Sequence, residues 1–124
     1  MSLKPVVHPL LTTKYTKVYE DNMVFNAPHD FTVVSNETLA DGESAKVLAQ
    51  IHFQEGPIKE NGVNGVCNED LIVMVIRRLQ SFQESDYACR ENALAITKLE
   101  EALLWLRCRT MGREQRNVVG TSEI

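Results

Sequence analysis

The spacing of apolar residues divides the chain into two unlike halves. In the first half, short apolar runs alternate with turn-forming sequences, which is typical of β-strands. Turns are predicted at residues 26–30 and at Asp41–Gly42. In the last of the runs, alternate residues from Val47 to Phe53 would share one face. The predicted strands span residues 14–19, 23–25, 31–34 and 46–53.

The second half carries a helical pattern. A first helix is predicted from Asn68, its N-cap, to near Gln83. A second helix is predicted from about Asp86, capped by Ser85 and Asp86, to near Arg116, because apolar residues recur there at spacings of three and four. The second helix would be ~45 Å long, about twice the length of the first. Since the excess length must project or pack against another copy, it indicates an oligomer.

Three turn-forming pairs lie between the two halves: Gly56–Pro57, Asn61–Gly62 and Asn64–Gly65. They favour a simple turn or hairpin that leads into the helix. The alternative is a glycine-rich loop whose amides approach a phosphate just before a helix N-terminus. The segment has no Gly-Lys-Ser/Thr ending and is therefore not a P-loop.

These elements predict an α+β fold, in which a small N-terminal antiparallel β-sheet precedes a C-terminal two-helix hairpin that mediates oligomerisation. The sheet alone would be marginally stable and needs cover from a helix or a second copy. The predicted divisions are residues 1–54 for the β portion, 55–67 for the turn loop, 68–116 for the hairpin and 117–124 for the tail.

Composition narrows the function. The 124 residues are 44% hydrophobic with a net charge of -4, which suits a small globular protein and disfavours nucleic-acid binding. No apolar run approaches the ~20 residues that a membrane span needs. No segment of signal-peptide character begins the sequence, so we expect an intracellular protein. Three cysteines without a Cys-x-x-Cys pair and three scattered histidines predict reduced thiols and no metal site.

Arginines crowd the end of the second predicted helix. Arg109 and Arg113 are four residues apart and share a face, and Arg116 lies on the same side. Cations complement the dipole at a helix C-terminus, which is one explanation. In an otherwise acidic chain we favour a phosphate clamp, because guanidinium groups bind phosphate oxygens bidentately.

Two further side chains have two interpretations each. Asn92, on the apolar stripe of the second helix, either fixes helix register or hydrogen-bonds a base edge or ribose hydroxyl. Phe82, where the first helix stops, either packs at the corner or forms a platform for a base. No catalytic set accompanies them, so the sequence favours a binding protein over an enzyme and predicts no cofactor.

Two segments carry a family resemblance. CRENALAITKLEEALLWL (residues 89–106), followed by RTMGREQRNVVGT (residues 109–121), closely resembles the helical hairpin shared by two phage anti-defence sponge families. One is the anti-CBASS cyclic-dinucleotide sponge family, and the other is the anti-Thoeris sponge family, called Thoeris anti-defence protein one. The segment IHFQEGPIKENGVNGVCNEDLIVMVIRRLQSFQ (residues 51–83) is similar to the second family in particular.

The resemblance implies a function without chemistry. Thoeris is a bacterial immune system in which a TIR-domain enzyme makes a cyclic ADP-ribose isomer that activates an NAD-depleting effector. Family members bind glycocyclic ADP-ribose, as the 1''-3' or the 1''-2' isomer, and sequester it without cleaving it. They would act in the cytoplasm of the infected bacterial host. Some members also bind cyclic di- or trinucleotides, and a homo-oligomer, either dimer or hexamer, is expected.

The resemblance also implies roles for individual residues. Arg109 and Arg113 would hold the diphosphate, with Arg116 close by. Phe82 would stack on adenine, and Asn92 would hydrogen-bond a polar edge of the ligand. A neighbouring subunit would close the pocket with residues from the turn loop and the β portion, namely Phe25, Phe31, Gly62, Asn64 and Gly65.

Two other hypotheses stay open. A helical adaptor would bind a host protein partner through the broad apolar face, and Arg109→Ala and Arg113→Ala would leave its activity intact. A small nucleic-acid binder would use the terminal arginines and depend steeply on salt, which the net charge disfavours.

Overall fold

The computed structural model describes residues 3–36, 45–115 and 119–121 of the chain. Two compact units are present. The sheet unit comprises Met1–Gly56 and Val63–Val66, and the hairpin unit comprises Pro57–Gly62 and Cys67–Ile124. The predicted α+β class is confirmed, since strands precede helices along the chain. The turn predicted at Asp41–Gly42 lies outside the described residues.

The sheet unit is built on four antiparallel strands in the order β1-β2-β3-β4. They are β1 (Lys4–Pro5), β2 (Thr16–Val24), β3 (Ala27–Ser35) and β4 (Val47–His52). The strands predicted at residues 14–19 and 23–25 fall mostly in one long strand, β2, which pairs along its length with β3, although Lys14, Tyr15 and Phe25 lie outside it. On the other side of β3, Phe31 lies opposite Ile51 of β4. Since strand order follows sequence order, the sheet is a simple meander.

The β2–β3 turn is shorter than the sequence predicted. Phe25 and Asn26 alone connect the strands, with φ angles of 50° and 70°. Two successive positive φ angles are typical of a type I′ hairpin turn, whose twist matches that of the flanking strands. The prediction of a turn over residues 26–30 is therefore wrong from Ala27 onward, where β3 begins. Pro28 is tolerated in β3 because β4 pairs with β3 only from Asp30, so Pro28 has a partner strand on one side alone.

Residues 65 and 66 return to the end of β4 and contact its backbone. The Val66 N–H donates to the His52 carbonyl, and the Gln54 N–H donates to the Val66 carbonyl, both at 2.9 Å. Gly65 lies so close that an added Cβ would be 2.5 Å from the carbonyl carbon of Phe53. Only glycine fits there without a shift of backbone, which gives this glycine a structural role.

The hairpin unit contains α1 (Ile58–Asn61), α2 (Asn68–Gln83) and α3 (Arg90–Gln115). The single turn α1 lies within the segment predicted to be a loop. α2 ends at Gln83 as predicted, but its N-cap is Cys67 rather than Asn68. The Asp70 carboxylate accepts a hydrogen bond from the Cys67 N–H at 2.8 Å, and this side chain completes the helix start in place of an asparagine cap.

α3 begins at Arg90, four residues after the predicted start at Asp86. Ser85 does not cap this helix. Its hydroxyl donates to the Phe82 carbonyl at 2.6 Å and accepts from the Tyr87 N–H at 3.1 Å. Such local side-chain hydrogen bonds compete with helix formation, which explains the later start.

α3 has 26 residues against 16 in α2, an excess of about 15 Å of helix. Among the hydrophobic side chains of the described residues, Ile76 on α2 is the one that is more than nine-tenths buried. Leu104 and Trp105 on α3 are 60% and 67% exposed. The chain therefore leaves a wide apolar surface on its longer helix. No helix within residues 3–36, 45–115 and 119–121 has the length and apolar character needed to cross a membrane.

Candidate functional site

One face of α2 forms an open groove with a volume of about 690 Å³. Residues four apart on a helix lie above one another, so the lining residues form two parallel rows. One end of the groove is apolar and exposed, and the other end is cationic and aromatic. From the apolar end onward, the lining residues are Val73, Met74, Arg77, Arg78, Ser81 and Phe82.

Two neighbours hold the Phe82 ring. The Arg78 guanidinium carbon lies 5.1 Å from the ring centroid, a cation–π contact within α2. The Tyr87 ring lies at 6.4 Å between centroids and at 79° to Phe82, an edge-to-face arrangement. Phe82 is half-buried, so part of its ring stays accessible while its orientation is restrained.

The corner beside Phe82 is fixed by polar contacts. The Gln83 side chain accepts from the Cys89 N–H at 2.9 Å and donates to the Cys89 carbonyl at 3.0 Å. These two bonds join the last residue of α2 to the residue that precedes α3. Asn92 follows two residues into α3 and is half-buried. The structure thus places Phe82 and Asn92 at the same end of the hairpin, as a shared ligand would require.

The predicted arginines lie at the opposite end. The helical rise of 1.5 Å per residue separates Asn92 from Arg109 by about 26 Å along α3, and Arg113 is one turn farther. One copy of the chain therefore does not bring the four predicted residues to one ligand. Arg116 lies outside the described residues.

The two arginines have different surroundings. Arg113 is 9% exposed, and its guanidinium donates to the Thr121 carbonyl at 3.0 Å. Arg109 is exposed. Next to them, Arg107 forms an ion pair with Glu114 at 3.3 Å. At this end of the hairpin, Arg109 is therefore open to solvent, whereas Arg113 is held by a hydrogen bond to the backbone of Thr121.

In the sheet unit, Phe25 and Phe31 have unlike positions. Phe25 occupies the β2–β3 turn and is 59% exposed, with its ring 6.4 Å from that of His29. Phe31 is half-buried in β3 and packs edge-to-face on Phe53 at 5.5 Å. Phe25 is thus presented to solvent, whereas Phe31 belongs to the packing of the sheet. A ligand role for either ring stays a prediction.

The loop residues make contacts within the chain. The Asn64 side chain accepts from the Glu55 N–H at 2.8 Å and donates to the Glu55 carbonyl at 2.9 Å. Gly62 has a φ of 72° and ends α1. Together with the close approach at Gly65, these contacts fit the interpretation of the segment as a turn. Their role in closing a ligand pocket stays a prediction.

Sequence reasoning treated Arg77 and Arg78 only as the polar side of the first helix. Two signals pointed to more. Neither arginine has an acidic residue three or four positions away on α2, the spacing at which helical ion pairs form. Arg78 also lies four residues before Phe82, the spacing at which a guanidinium reaches a ring.

A separate polar cluster surrounds His52 in the sheet unit. The His52 Nδ1 lies 2.5 Å from Asp30 Oδ1, and its Nε2 lies 3.2 Å from Glu55 Oε2. The hydrogen bond with Asp30 raises the pKa of His52, and the same bond lowers the pKa of Asp30. The arrangement favours a charged imidazolium between two carboxylates, which is an ion-pair network. Among the described residues there is no cluster of three histidine, cysteine or acidic side chains that could hold a metal ion.

Comparisons with known proteins identify the family to which these elements belong. The family model described as "Acb2/Tad1, hairpin domain" matches residues 45–110, which include all of α2 and most of α3. The chain is also 52% identical to the protein named Thoeris anti-defense 1 of Bacillus phage SBSphiJ7, over 98% of this chain and 99% of that protein. Since the match covers the sheet unit as well as the hairpin, the chain belongs to the Acb2/Tad1 hairpin-domain family.

Proposed function

We propose that the chain is a phage-encoded inhibitor of Thoeris immunity that binds and sequesters glycocyclic ADP-ribose without cleaving it. The observation that carries the proposal is the 52% identity to Thoeris anti-defense 1 over nearly the whole of both chains. Acting in the cytoplasm of the infected host, the protein would lower the free signal and keep the effector inactive. Its cargo is the 1''-3' isomer, the 1''-2' isomer or both, and cyclic di- or trinucleotides are further candidate ligands.

The chemistry of the hairpin suits this ligand. A cyclic ADP-ribose isomer carries an adenine, ribose hydroxyls and a diphosphate. The restrained Phe82 ring offers a stacking surface, the Asn92 amide can hydrogen-bond a polar edge, and Arg109 offers a charged fork for phosphate oxygens.

Geometry supports a site made by two copies of the chain. The ends that carry Asn92 and Arg109 are about 26 Å apart on α3, farther than one such ligand reaches. Two antiparallel copies would place the Phe82 end of one beside the Arg109 end of the other. The exposed Leu104 and Trp105 supply an apolar surface for that pairing. The homo-oligomer would be a dimer, or a hexamer assembled from such dimers.

Calorimetric titration with glycocyclic ADP-ribose tests the proposal directly. We expect tight binding, and heat denaturation of the complex should release a nucleotide that co-elutes with the starting ligand. Arg109→Ala should weaken binding by about 2–5 kcal/mol, because it removes one side of a charge-assisted contact. Release of an altered nucleotide would mean an enzyme, and absence of binding would overturn the proposal.

Mixing two inactive variants tests whether the site is shared between copies. Phe82→Ala and Arg109→Ala are each expected to bind weakly. If each dimer pairs at random after the variants are unfolded and refolded together, about a quarter of the sites regain both residues. Binding of the mixture would then exceed that of either variant alone. No recovery in a mixture shown to exchange subunits would overturn the shared site.

A second candidate function is a helical adaptor for a host protein partner. The observation that favours it is the exposure of Leu104 and Trp105, together with that of Val73 and Met74 on α2. Under this alternative, Arg109→Ala and Arg113→Ala would protect a phage from Thoeris as well as the unmodified chain. A loss of protection would favour the sponge.

A further inference from the structure

We propose that Arg77 and Arg78 bind phosphate in the α2 groove, next to Phe82. This end of the hairpin would then bind both the adenine and the phosphate of an adenosine phosphate. The inference rests on the function proposed above. In this arrangement the adenine stacks against Phe82, and the phosphate nearest the adenosine is bound by the two guanidinium groups.

The positions of the three residues carry the first step. Arg78 lies over the Phe82 ring at 5.1 Å and restrains it, so the ring and one guanidinium are already in contact. Arg77 is the adjacent residue in the parallel row, one turn before Ser81, and all of them line the same groove. A base and a phosphate separated by one ribose would therefore both find partners within about one helical turn, a rise of ~5.4 Å.

The charge of the groove carries the second step. Arg77 and Arg78 are both exposed, and neither has an ion-pair partner in the part of the chain that the structure describes. Arg107 on α3, by contrast, forms an ion pair with Glu114. Two adjacent cations without a carboxylate, in a chain of net charge -4, form a local site for an anion.

The third argument is that the rest of the groove is apolar. Val73 and Met74 are 50% and 60% exposed, so the cationic end continues into an apolar surface. Small-molecule sites combine such apolar surface with a few well-placed polar groups, here two guanidinium groups and the Ser81 hydroxyl. A helix face that served only solvation would have charged residues in place of Val73 and Met74.

Arg78 has two roles in this assignment. It contacts phosphate, and it positions Phe82 through the cation–π contact. Lysine in its place would keep the charge but lose the planar surface that covers the ring. Arg77 acts only on phosphate, so Arg77→Lys should retain more binding than Arg77→Gln. The two positions are thus distinguishable by the same pair of substitutions.

The experiment is a calorimetric titration of glycocyclic ADP-ribose into the full chain and into Arg77→Gln, Arg78→Gln and Lys98→Gln. Lys98 is a matched control, because it is a highly exposed cation of the same hairpin whose partner Glu101 is 3.8 Å away. Hydrogen bonds to charged groups contribute about 1.5–3 kcal/mol, so each arginine variant should bind about 10- to 150-fold more weakly. The control should bind within about twofold of the unmodified chain.

A second readout separates phosphate contact from a loss of structure. Titration with adenosine 5′-monophosphate and with adenosine gives the preference of each variant for the phosphorylated ligand. We expect Arg77→Gln to lose that preference while adenosine binding is unchanged. Loss of both ligands in equal measure would mean a structural role and would overturn the inference.

The remaining outcomes are distinct. If the unmodified chain binds glycocyclic ADP-ribose and both arginine variants bind it equally well, the inference is wrong while the sponge function stands. If the unmodified chain does not bind it, the proposed function and the inference that rests on it both fail.

Discussion

The guanidinium of Arg113 donates a hydrogen bond to the backbone carbonyl of Thr121, 3.0 Å away. The preceding residue is held as well, since the Lys59 N–H donates to the Gly120 carbonyl at 2.7 Å. The short segment at residues 119–121 thus joins α1 to the end of α3. It also restrains the arginine that the family resemblance assigns to the diphosphate.

Gly120→Ala should detach this segment. Gly120 has a φ of 80°, and an added Cβ would lie 2.9 Å from Lys59 Cγ. The left-handed conformation costs a non-glycine residue about 1–2 kcal/mol, and the contact adds to this. We expect faster amide hydrogen exchange at Lys59, because its acceptor is the Gly120 carbonyl.

Gly112→Ala is the matched control. Gly112 lies inside α3, and an added Cβ there has no neighbour within 4 Å in the described residues. Alanine is favoured over glycine in a helix by about 0.5–1 kcal/mol, so this variant should be more stable in urea denaturation. Unchanged exchange at Lys59 in Gly120→Ala would show that the contact with residues 119–121 does not hold α1.

Gly65→Ala should destabilise the sheet unit. The new methyl group would lie 2.5 Å from the Phe53 carbonyl carbon, and backbone cannot yield as a flexible side chain would. Forcing extra volume into a packed position costs typically about 1–3 kcal/mol. Exchange of the Val66 amide, which is bonded to the His52 carbonyl, reports the loss locally. An unchanged rate would mean that the segment moves away at little cost.

Phe25→Asn should stabilise the β2–β3 hairpin. Phe25 has a φ of 50° in a turn where asparagine is well tolerated, and removal of that strain is expected to gain about 1 kcal/mol. Phe25→Ala keeps the strain and loses the contact with His29, so it should not stabilise the hairpin. If Phe25 helps to close the ligand pocket, Phe25→Asn will bind glycocyclic ADP-ribose more weakly although it is more stable. A stabilised variant with unchanged binding would remove Phe25 from the site.

The pattern of the sequence predicted the class of the fold and the end of α2 because both depend on local periodicity. It placed the first turn too late and α3 too early. Both errors arise where specific hydrogen bonds or φ angles override composition, at Phe25 and Asn26 in the turn and at Ser85 in the corner. Capping by Asp70 through the Cys67 N–H has the same origin.

The candidate site was predictable in its residue types but not in its arrangement. Helical spacing shows that Arg109 and Arg113 share a face, and the structure keeps both on α3. Helical spacing does not show that Thr121 holds Arg113, because that contact joins residues beyond the end of α3 to the helix. The separation of Asn92 from Arg109 was within reach of the sequence, since both lie on one helix and 17 residues correspond to about 26 Å. The Arg78 contact with Phe82 was within reach of sequence, since it is local to α2.

Stability should depend on pH through the pair of His52 and Asp30. The pKa of His52 is raised by its hydrogen bond to Asp30, so its stabilising contribution is complete below its ordinary value of about 6.5 and is lost as pH rises through the raised value. The pKa of Asp30 is lowered by the same bond, so its contribution is present above about 3.9 and is lost as pH falls through the lowered value. Both contributions coexist from about pH 4 to 6.5.

Asp30→Asn tests this dependence because it removes the carboxylate while leaving Glu55 beside His52. The difference in the free energy of unfolding between the unmodified chain and this variant should be larger near pH 5 than near pH 9. The change is expected to be modest, since both side chains are more than a third exposed and solvent screens the pair. Urea denaturation across that range measures it. A difference that stays constant with pH would show that the imidazole and carboxylate are not coupled in the folded protein.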